Sequence, residues 1–262
     1  MKYDRLQRIK QLLTQQKRVS TAELSELFCV SIETIRRDLD LLESEGFIRK
    51  IYGGAELCEE GTPSLAMDEW NNRCRVSVAE KQCIAELAIT LIPDNCTVVL
   101  DSGTTTYKVG SLLGIRHGLS VLTNSLHCAM AVSCHTDHDV YMIGGQLKKS
   151  ELITTGILAS DFLDCFSKID VAVIGVDGFT LEDGVMDYSM DMCMIKQRFL
   201  RKSAKVIAVA DHTKFGVRGN YRSCPLDQID YLVTDTATDR RMLEAVSRMG
   251  VKVLLADGKG VE

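Results

Sequence analysis

The chain has 262 residues, 45% of them hydrophobic and 26% charged, with only three prolines. This composition excludes a disordered chain and a small disulfide scaffold, and the length suits two domains better than one, since domains cluster near about 100–150 residues. No apolar run approaches the roughly 18 residues of a membrane span, and the charged opening Met1-Lys2-Tyr3-Asp4-Arg5 has no signal-peptide core, so a cytoplasmic protein with no membrane partner is expected.

The ten cysteines include no C-x-x-C pair and no Cys/His set at finger spacing. Most of them are expected to be buried thiols of a reducing compartment, and neither a metal nor a cofactor is expected. The nearest approach to a ligand cluster, Cys128, Cys134 and His135 with His127 and His138, lacks a tight pair at helical or hairpin spacing. Net charge is −5, but residues 1–56 carry ten Lys+Arg against nine Asp+Glu, so the acidity lies in the remainder. That small asymmetry decides little; where the cations stand on the first domain decides more.

Leu6, Ile9, Leu12 and Leu13 predict an amphipathic helix over residues 3–16, ended by Gln16-Lys17-Arg18. Ser20-Thr21-Ala22-Glu23 has the form of a capping box and opens a second helix of about two turns with Leu24, Leu27 and Phe28 as its apolar stripe. Ser31 is a good N-cap for a third helix whose Ile32, Ile35, Leu39 and Leu42 are expected to face the core. Its other face would present Thr34, Arg37 and Leu41, flanked by Glu33, Arg36 and Asp38. A short helix, a tight turn and a longer helix with an arginine-bearing first half is the helix-turn-helix layout, whose second helix enters the major groove. Alternation in Phe47-Ile48-Arg49-Lys50-Ile51-Tyr52 before Gly53-Gly54 predicts a β-hairpin wing, with Arg49 and Lys50 at phosphates. The competing reading is a three-helix unit in which Arg36 or Arg37 only pairs with Asp40 or Glu33 at helical spacing.

Val30-Ser31-x-x-Thr34-Ile35-Arg36-Arg37-Asp38-Leu39, then Leu42-Glu43-x-x-Gly46, then Arg49-x-x-Tyr52-Gly53-Gly54-Ala55, resembles the amino-terminal signature of the DeoR-type family of bacterial sugar-metabolism repressors. The resemblance implies double-stranded operator DNA as a partner, bound through Ser31, Thr34, Arg36, Arg37, Arg49, Lys50 and Tyr52. Tyr52 departs from the family's usual histidine, but an aromatic there can still pack or donate to a phosphate.

Residues 57–75, with Gly61-Thr62-Pro63, show no sustained periodicity and read as a linker between a first domain over 1–56 and a second over 76–262. A helix lined by Ile84, Leu87, Ala88 and Leu91 follows, stopped at Pro93-Asp94. Seven short β-branched runs then alternate with helical segments: Thr97 to Leu100, Leu119 to Leu122, Val140 to Ile143, Val171 to Val176, Val206 to Ala210, Tyr231 to Thr234 and Val251 to Leu255. The fold class is therefore α/β, a mostly parallel sheet covered on both faces behind a winged helix-turn-helix domain.

Ligands of such sheets bind outside the strands' carboxyl ends. There the chain places Asp101-Ser102-Gly103-Thr104-Thr105-Thr106, a glycine-permitted turn into a helix N-terminus that can cradle an anion; alternatively Ser102 and Thr104 merely cap the helix. It lacks the P-loop pattern, which favours a monophosphate over ATP. Other turns on the same edge carry Thr123-Asn124-Ser125, Gly144-Gly145, Asp177-Gly178 and Asp211-His212-Thr213-Lys214-Phe215.

The resemblance to the DeoR-type family continues through these turns. It implies a domain similar in fold to ribose-5-phosphate isomerase that binds a phosphorylated sugar or polyol, with the 102–106 loop on phosphate, Lys214 neutralising it, and Asn124 and Asp177 on hydroxyls. The full effector-binding set expected is Asp101, Ser102, Gly103, Thr104, Thr105, Thr106, Asn124, Ser125, Gly144, Gly145, Asp177, Asp187 and Lys214. Where the family often has glutamates, this chain has Met190-Asp191-Met192-Cys193-Met194-Ile195-Lys196; the methionines at 186, 190 and 194 read as a core stripe, and Asp187 or Asp191 can substitute for the missing carboxylates.

The expected function is a DNA-binding regulator, a repressor of a carbohydrate or polyol catabolic operon relieved by a phosphorylated sugar. The alternative is an isomerase-like enzyme with an appended DNA-binding domain, but its candidate bases Asp177, Asp187 and Asp191 have no clear acid partner. A homodimer or homotetramer is expected, because one helix-turn-helix unit reads few base pairs.

Overall fold

The structure is a computed structural model that describes residues 2–44, 48–51, 53–57, 64–135 and 137–258. It divides into two compact units, Met1–Asn71 and Asn72–Glu262.

In the first unit, α1 (Lys2–Gln16) leads into a short strand, β1 (Arg18–Ser20), then α2 (Thr21–Phe28) and α3 (Ile32–Ser44), and the hairpin β2 (Ile48–Ile51) and β3 (Gly54–Leu57). The expected capping box is formed: Glu23 N donates to Ser20 Oγ at 3.1 Å, and Ser20 N donates to Glu23 Oε2 at 3.2 Å. The α2–α3 turn is closed by Val30 N donating to Ser25 O and Ser25 Oγ donating to Val30 O, with Cys29 held left-handed at φ 50°. β1 joins the wing as a third antiparallel strand, in the order β1-β3-β2. The double glycine then has two separate uses. Gly53 takes φ 80°, while a Cβ on Gly54 would lie 2.1 Å from Val19 O, so only glycine lets β1 pair with β3 here.

Ile9, Leu13, Val19, Leu24, Ile35, Leu39, Leu42, Ile48 and Ala55 form this unit's core. Two expectations are corrected. Leu27 and Ile32 are 60% and 45% exposed, because they lie beside the α2–α3 turn, where the chain bends away from the core. Asp38 is buried and accepts from Arg5 Nε at 2.5 Å, tying α3 to α1 from the core side. Residues 35, 38, 39 and 42 share one face of the helix, so its phase favours burial of Asp38.

Residues 64–75, read as linker, form a helix, α4 (Ser64–Arg75). Leu65, Ala66, Met67, Glu69, Trp70 and the two arginines are good or fair helix formers, and propensity makes a helix where apolar periodicity is weak.

The second unit begins with α5 (Val78–Ile89), β4 (Thr97–Leu100), α6 (Thr104–Leu112), β5 (Ser120–Thr123), α7 (Leu126–Ser133), β6 (Asp139–Met142) and the hairpin β7 (Gln146–Lys148) and β8 (Ile153–Thr155). It continues through α8 (Ile157–Asp164), β9 (Ile169–Gly175), β10 (Gly178–Thr180), β11 (Gly184–Asp187), α9 (Met190–Lys202) and β12 (Ser203–Val209). It ends with β13 (Tyr221–Cys224), β14 (Tyr231–Asp235), α10 (Arg240–Arg248) and β15 (Lys252–Ala256). The seven runs read from the sequence are the seven strands of one parallel sheet, ordered β15-β14-β12-β9-β4-β5-β6. Strand residues alternate between its faces. Val98, Leu100, Val171 and Val173 pack with Ile84, Ala88 and Val109 of α5 and α6. Val99, Ala172 and Ile174 pack with Ala159, Ile195, Phe199 and Val246 of α8, α9 and α10. The small antiparallel sheet β10-β11-β13 and the β7–β8 hairpin lie outside the sequence expectation, since three- and four-residue strands carry too little alternation to be seen.

The methionine stripe is also corrected. Met186 belongs to β11 and is buried, whereas Met190 and Met194 on α9 are 55% and 57% exposed; the turn at Tyr188-Ser189 resets the phase, and Met192 is the buried one. Of the cysteines, the structure buries Cys128, Cys193 and Cys224 and leaves Cys29, Cys134 and Cys165 exposed.

Candidate nucleic-acid interface and ligand cavity

On α3, Ser31 Oγ accepts from Thr34 N at 3.2 Å and lies 2.9 Å from Thr34 Oγ1, which fixes the helix start. Arg36 and Arg37 then project into solvent, Arg37 with 78% of its side chain exposed, and each pairs with Glu33, at 3.9 and 3.8 Å. Pairs this long and this exposed are weak and leave the guanidinium groups available to a polyanion. Lys50, on the wing, pairs with Asp40 and lies 3.5 Å from Glu43, and its backbone N–H donates to Glu43 Oε1 at 2.9 Å. The Lys50 hydrogen bond to Asp40 raises its pKa above the ordinary lysine value. A lysine expected at phosphates thus faces two exposed carboxylates of α3. Tyr52 and the side chain of Arg49 lie outside the described residues.

In the second unit the chain order turns back between β4 and β9: β5 and β6 lie on one side of β4, and β9, β12, β14 and β15 on the other. The crevice at such a switch point is where ligands of open α/β sheets bind. A cavity of about 220 Å³ opens there, lined by Ser102, Gly103, Thr104 and Thr105 after β4, by Gly175, Val176 and Asp177 after β9, by Lys214, and by Asn72, Arg73, Val76 and Lys81. Gly175 allows the closeness of the two loops: a Cβ there would stand 2.9 Å from Ser102 O.

The α6 N-terminus has Gly103 as its N-cap, and no side chain caps it. Ser102 Oγ donates instead to Met192 Sδ at 3.5 Å, and Thr106 Oγ1 donates back to Gly103 O at 2.9 Å. The capping alternative for Ser102 and Thr104 is therefore not realised, and the first-turn amides, which have no partner inside the helix, are left to whatever enters the cavity. By contrast, Ser125 does cap α7, accepting from Cys128 N at 3.3 Å.

Of the expected effector residues, Ser102, Gly103, Thr104, Thr105, Asp177 and Lys214 line this cavity together. Asp101, Thr106, Asn124, Ser125 and Asp187 are fully buried, and Gly144 and Gly145 sit in the turn after β6, with Gly145 close against Thr155 O. Asn124 Nδ2 donates to Thr154 O at 3.2 Å, tying β5 to the β7–β8 hairpin. Asp191 lies elsewhere, in a separate hollow with Ser160, Met194 and Arg198.

Beneath the cavity lies a charged network that the sequence reading did not find. Lys196 of α9 donates from Nζ to Asp187 Oδ1 at 2.6 Å and to Gly175 O at 2.8 Å, and stands 3.2 Å from Asp101 Oδ2. Asp101 accepts from Gly175 N at 3.0 Å, and Asp187 accepts from Ser223 Oγ. Burial pushes Asp101 up to about 6 against the opposing pull of Lys196. For Lys196, burial disfavours the charged form, but Asp101 and Asp187 outweigh it and hold its pKa above the usual lysine value. Asp101, just after β4, and Lys196 of α9 thus meet on Gly175, and Asp187 of β11 holds Lys196 in place. Lys196 follows the helical spacing of Met192, Ile195 and Phe199, and that phase was the available signal.

Lys81, also unforeseen, is buried in the cavity wall. It donates to Arg73 O at 2.7 Å and Val76 O at 2.8 Å, and stands 4.0 Å from Asp211 Oδ2. Desolvation pulls its pKa below the ordinary lysine value. Arg73 Nη1 lies 3.8 Å from Asp177 Oδ1.

Among the described residues, no helix is long and apolar enough to cross a membrane. The model of the DeoR-like helix-turn-helix domain matches residues 5–61, and that of the DeoR C terminal sensor domain matches residues 76–236. The chain is 31% identical over 252 residues to the putative aga operon transcriptional repressor of Escherichia coli O157:H7, covering 96% of this chain and 93% of that one. It is 31% identical over 226 residues to the glycerol-3-phosphate regulon repressor of Escherichia coli K12, covering 86% and 87%. Among solved structures, ribose 5 phosphate isomerase A from Neisseria gonorrhoeae shows a partial likeness in fold, with a TM-score of 0.40 and 16% identity over 53% of each chain. A helix-turn-helix unit with solvent-facing arginines, an α/β unit with a cavity at its switch point, and matches of this length to both halves place the chain in the DeoR family of transcriptional regulators.

Proposed function

We propose that this protein is a cytoplasmic repressor of a carbohydrate or polyol catabolic operon, released from its operator by a phosphorylated sugar or polyol. The observation that carries the effector half is the uncapped α6 N-terminus opening on a cavity that also holds Arg73, Lys81 and Lys214. Unpaired amides, a helix dipole and three cations favour a phosphate group together. Asp177, one of the lining residues, accepts from hydroxyls in this reading. The regulon named for the Escherichia coli K12 relative supports a phosphorylated polyol of this kind.

For the DNA half, α3 enters the major groove with Thr34, Arg36 and Arg37 leading, Ser31 fixing its start, and Arg49, Lys50 and Tyr52 of the wing at flanking phosphates. Two copies bind a two-fold operator as a homodimer or as half of a homotetramer. Effector binding favours an arrangement of the paired units that no longer fits the half-site spacing. The test is a thermal-shift screen of phosphorylated and unphosphorylated sugars and polyols. Selective ligands raise the apparent melting point by mass action, and the same compounds should release the protein from promoter DNA in an anisotropy titration. Stabilisation by the unphosphorylated forms alone would overturn the reading.

A further inference from the structure

The cations on the α4–α5 side of the cavity are engaged in a way that an anion receptor alone does not require. Arg73 belongs to the last turn of α4, and its ion-pair partner Asp177 lies across the cavity, on the loop after β9. Lys81, in the first turn of α5, holds the carbonyls of Arg73 and Val76 and so fixes the turn between the two helices. Within that turn Ser77 is left-handed, at φ 49°, and makes no side-chain cap, a conformation that surrounding contacts must maintain. Lys81 also stands near Asp211 Oδ2, a buried oxygen with no hydrogen-bond partner among the described residues. One buried ammonium therefore connects the end of α4 to the strand-end residue Asp211, three positions before Lys214.

At 3.8 Å, with both side chains partly exposed, the Arg73–Asp177 pair is weak. A phosphate offers a guanidinium two parallel charge-assisted hydrogen bonds, which is a stronger match. We propose that Asp177 is an internal stand-in for the effector's anion: without ligand it holds Arg73 across the cavity, and an entering phosphate group takes Arg73 from it. Because Arg73 sits on α4, the helix that covalently joins the two units, the exchange re-seats that helix whenever the cavity fills. This rests on the reading of the cavity as a receptor for an anionic metabolite. It adds a competitor residue and a mechanical output to that reading.

The test uses the full-length protein, inorganic phosphate as probe at constant ionic strength, and calorimetric titration alongside hydrogen exchange over residues 64–81. Arg73→Gln should weaken phosphate binding about tenfold or more, as expected for loss of a charge-assisted hydrogen bond. Asp177→Asn should strengthen it several-fold, a gain that misfolding cannot produce. Phosphate should change exchange over 64–76 in the wild type and leave it unchanged in Arg73→Gln. If Lys214→Gln abolishes binding while Arg73→Gln binds normally, the exchange proposal fails and the receptor reading stands. Weaker binding by Asp177→Asn would also overturn the proposal, since the carboxylate would then be an ally of the anion. Failure of the wild type and Asp177→Asn alike to bind phosphate would remove both readings together.

Discussion

Lys50 in the wing and Lys196 beneath the cavity each stand between two carboxylates, in opposite surroundings. Lys50, Asp40 and Glu43 are all at least 40% exposed, so water and salt screen them and an incoming phosphate can take the lysine over. Lys196, Asp101 and Asp187 have almost no access to solvent, and their attraction offsets a desolvation cost that no outside ion can relieve. On α3 and the wing the first unit keeps Arg36, Arg37 and Lys50 exchangeable, as a surface for a polyanion requires. The second locks Lys196 into its scaffold, holds Lys81 in the cavity wall, and leaves Arg73 and Lys214 at the cavity.

The largest expected effect tests the locked cation. Lys196→Met leaves two buried carboxylates facing each other and should destabilise the second unit by about 3–5 kcal/mol in urea titration, with the first unit's transition unmoved. A loss under about 1 kcal/mol would show that the network is not a scaffold. Next comes the exchangeable side: Arg37→Ala should weaken operator binding about tenfold to a hundredfold with no change in melting point, as for a base-reading arginine. Equal affinity in an anisotropy titration would return Arg37 to the role of a surface partner for Glu33.

A third, smaller effect depends on pH. A carboxyl whose folded pKa of about 6 exceeds its unfolded one costs stability when ionised, so this cost is absent at low pH, grows as pH rises through the interval between the two values, and is complete above about 6. Asp101→Asn removes that dependence. The stability difference between variant and wild type should therefore move in the variant's favour from pH 4 to pH 6.5, and a pH-independent difference would place the cost elsewhere. The smallest effect belongs to the exposed lysine. Lys50→Gln should leave the melting point unchanged and make the salt dependence of operator binding shallower by about one. A falling melting point would mean that the wing depends on its ion pairs.

Much of this was legible in the chain because local rules and the global fold agree. Ser20 and Glu23 form the box their spacing announces, seven β-branched runs become seven parallel strands, and the glycine-hydroxyl turn after β4 stands at the switch point. What escaped depends on contacts between distant segments. Lys196 meets Asp101 from 95 positions away, and although its phase with Met192, Ile195 and Phe199 points it inward, nothing local names its partners. Arg73 reaches the cavity from a stretch where apolar periodicity gave no helix before residue 76, and Lys81 from the helix after it, at a position its apolar stripe did not mark. The methionines at 186, 190 and 194 kept a four-residue interval across a strand-to-helix boundary, so a regular spacing in sequence was not a shared face in space.

The pairing of β4 with β9 has a consequence for synthesis. Leu100 cannot find Val173 until the chain has grown well past it, and Asp187 needs Ser223. The first unit, by contrast, is complete soon after its wing is made. At about 5–20 residues per second, a nascent chain displays a finished helix-turn-helix unit on the order of ten to thirty seconds before the cavity of the second unit has a floor. During that interval the first unit stands without the cavity that is to accompany it.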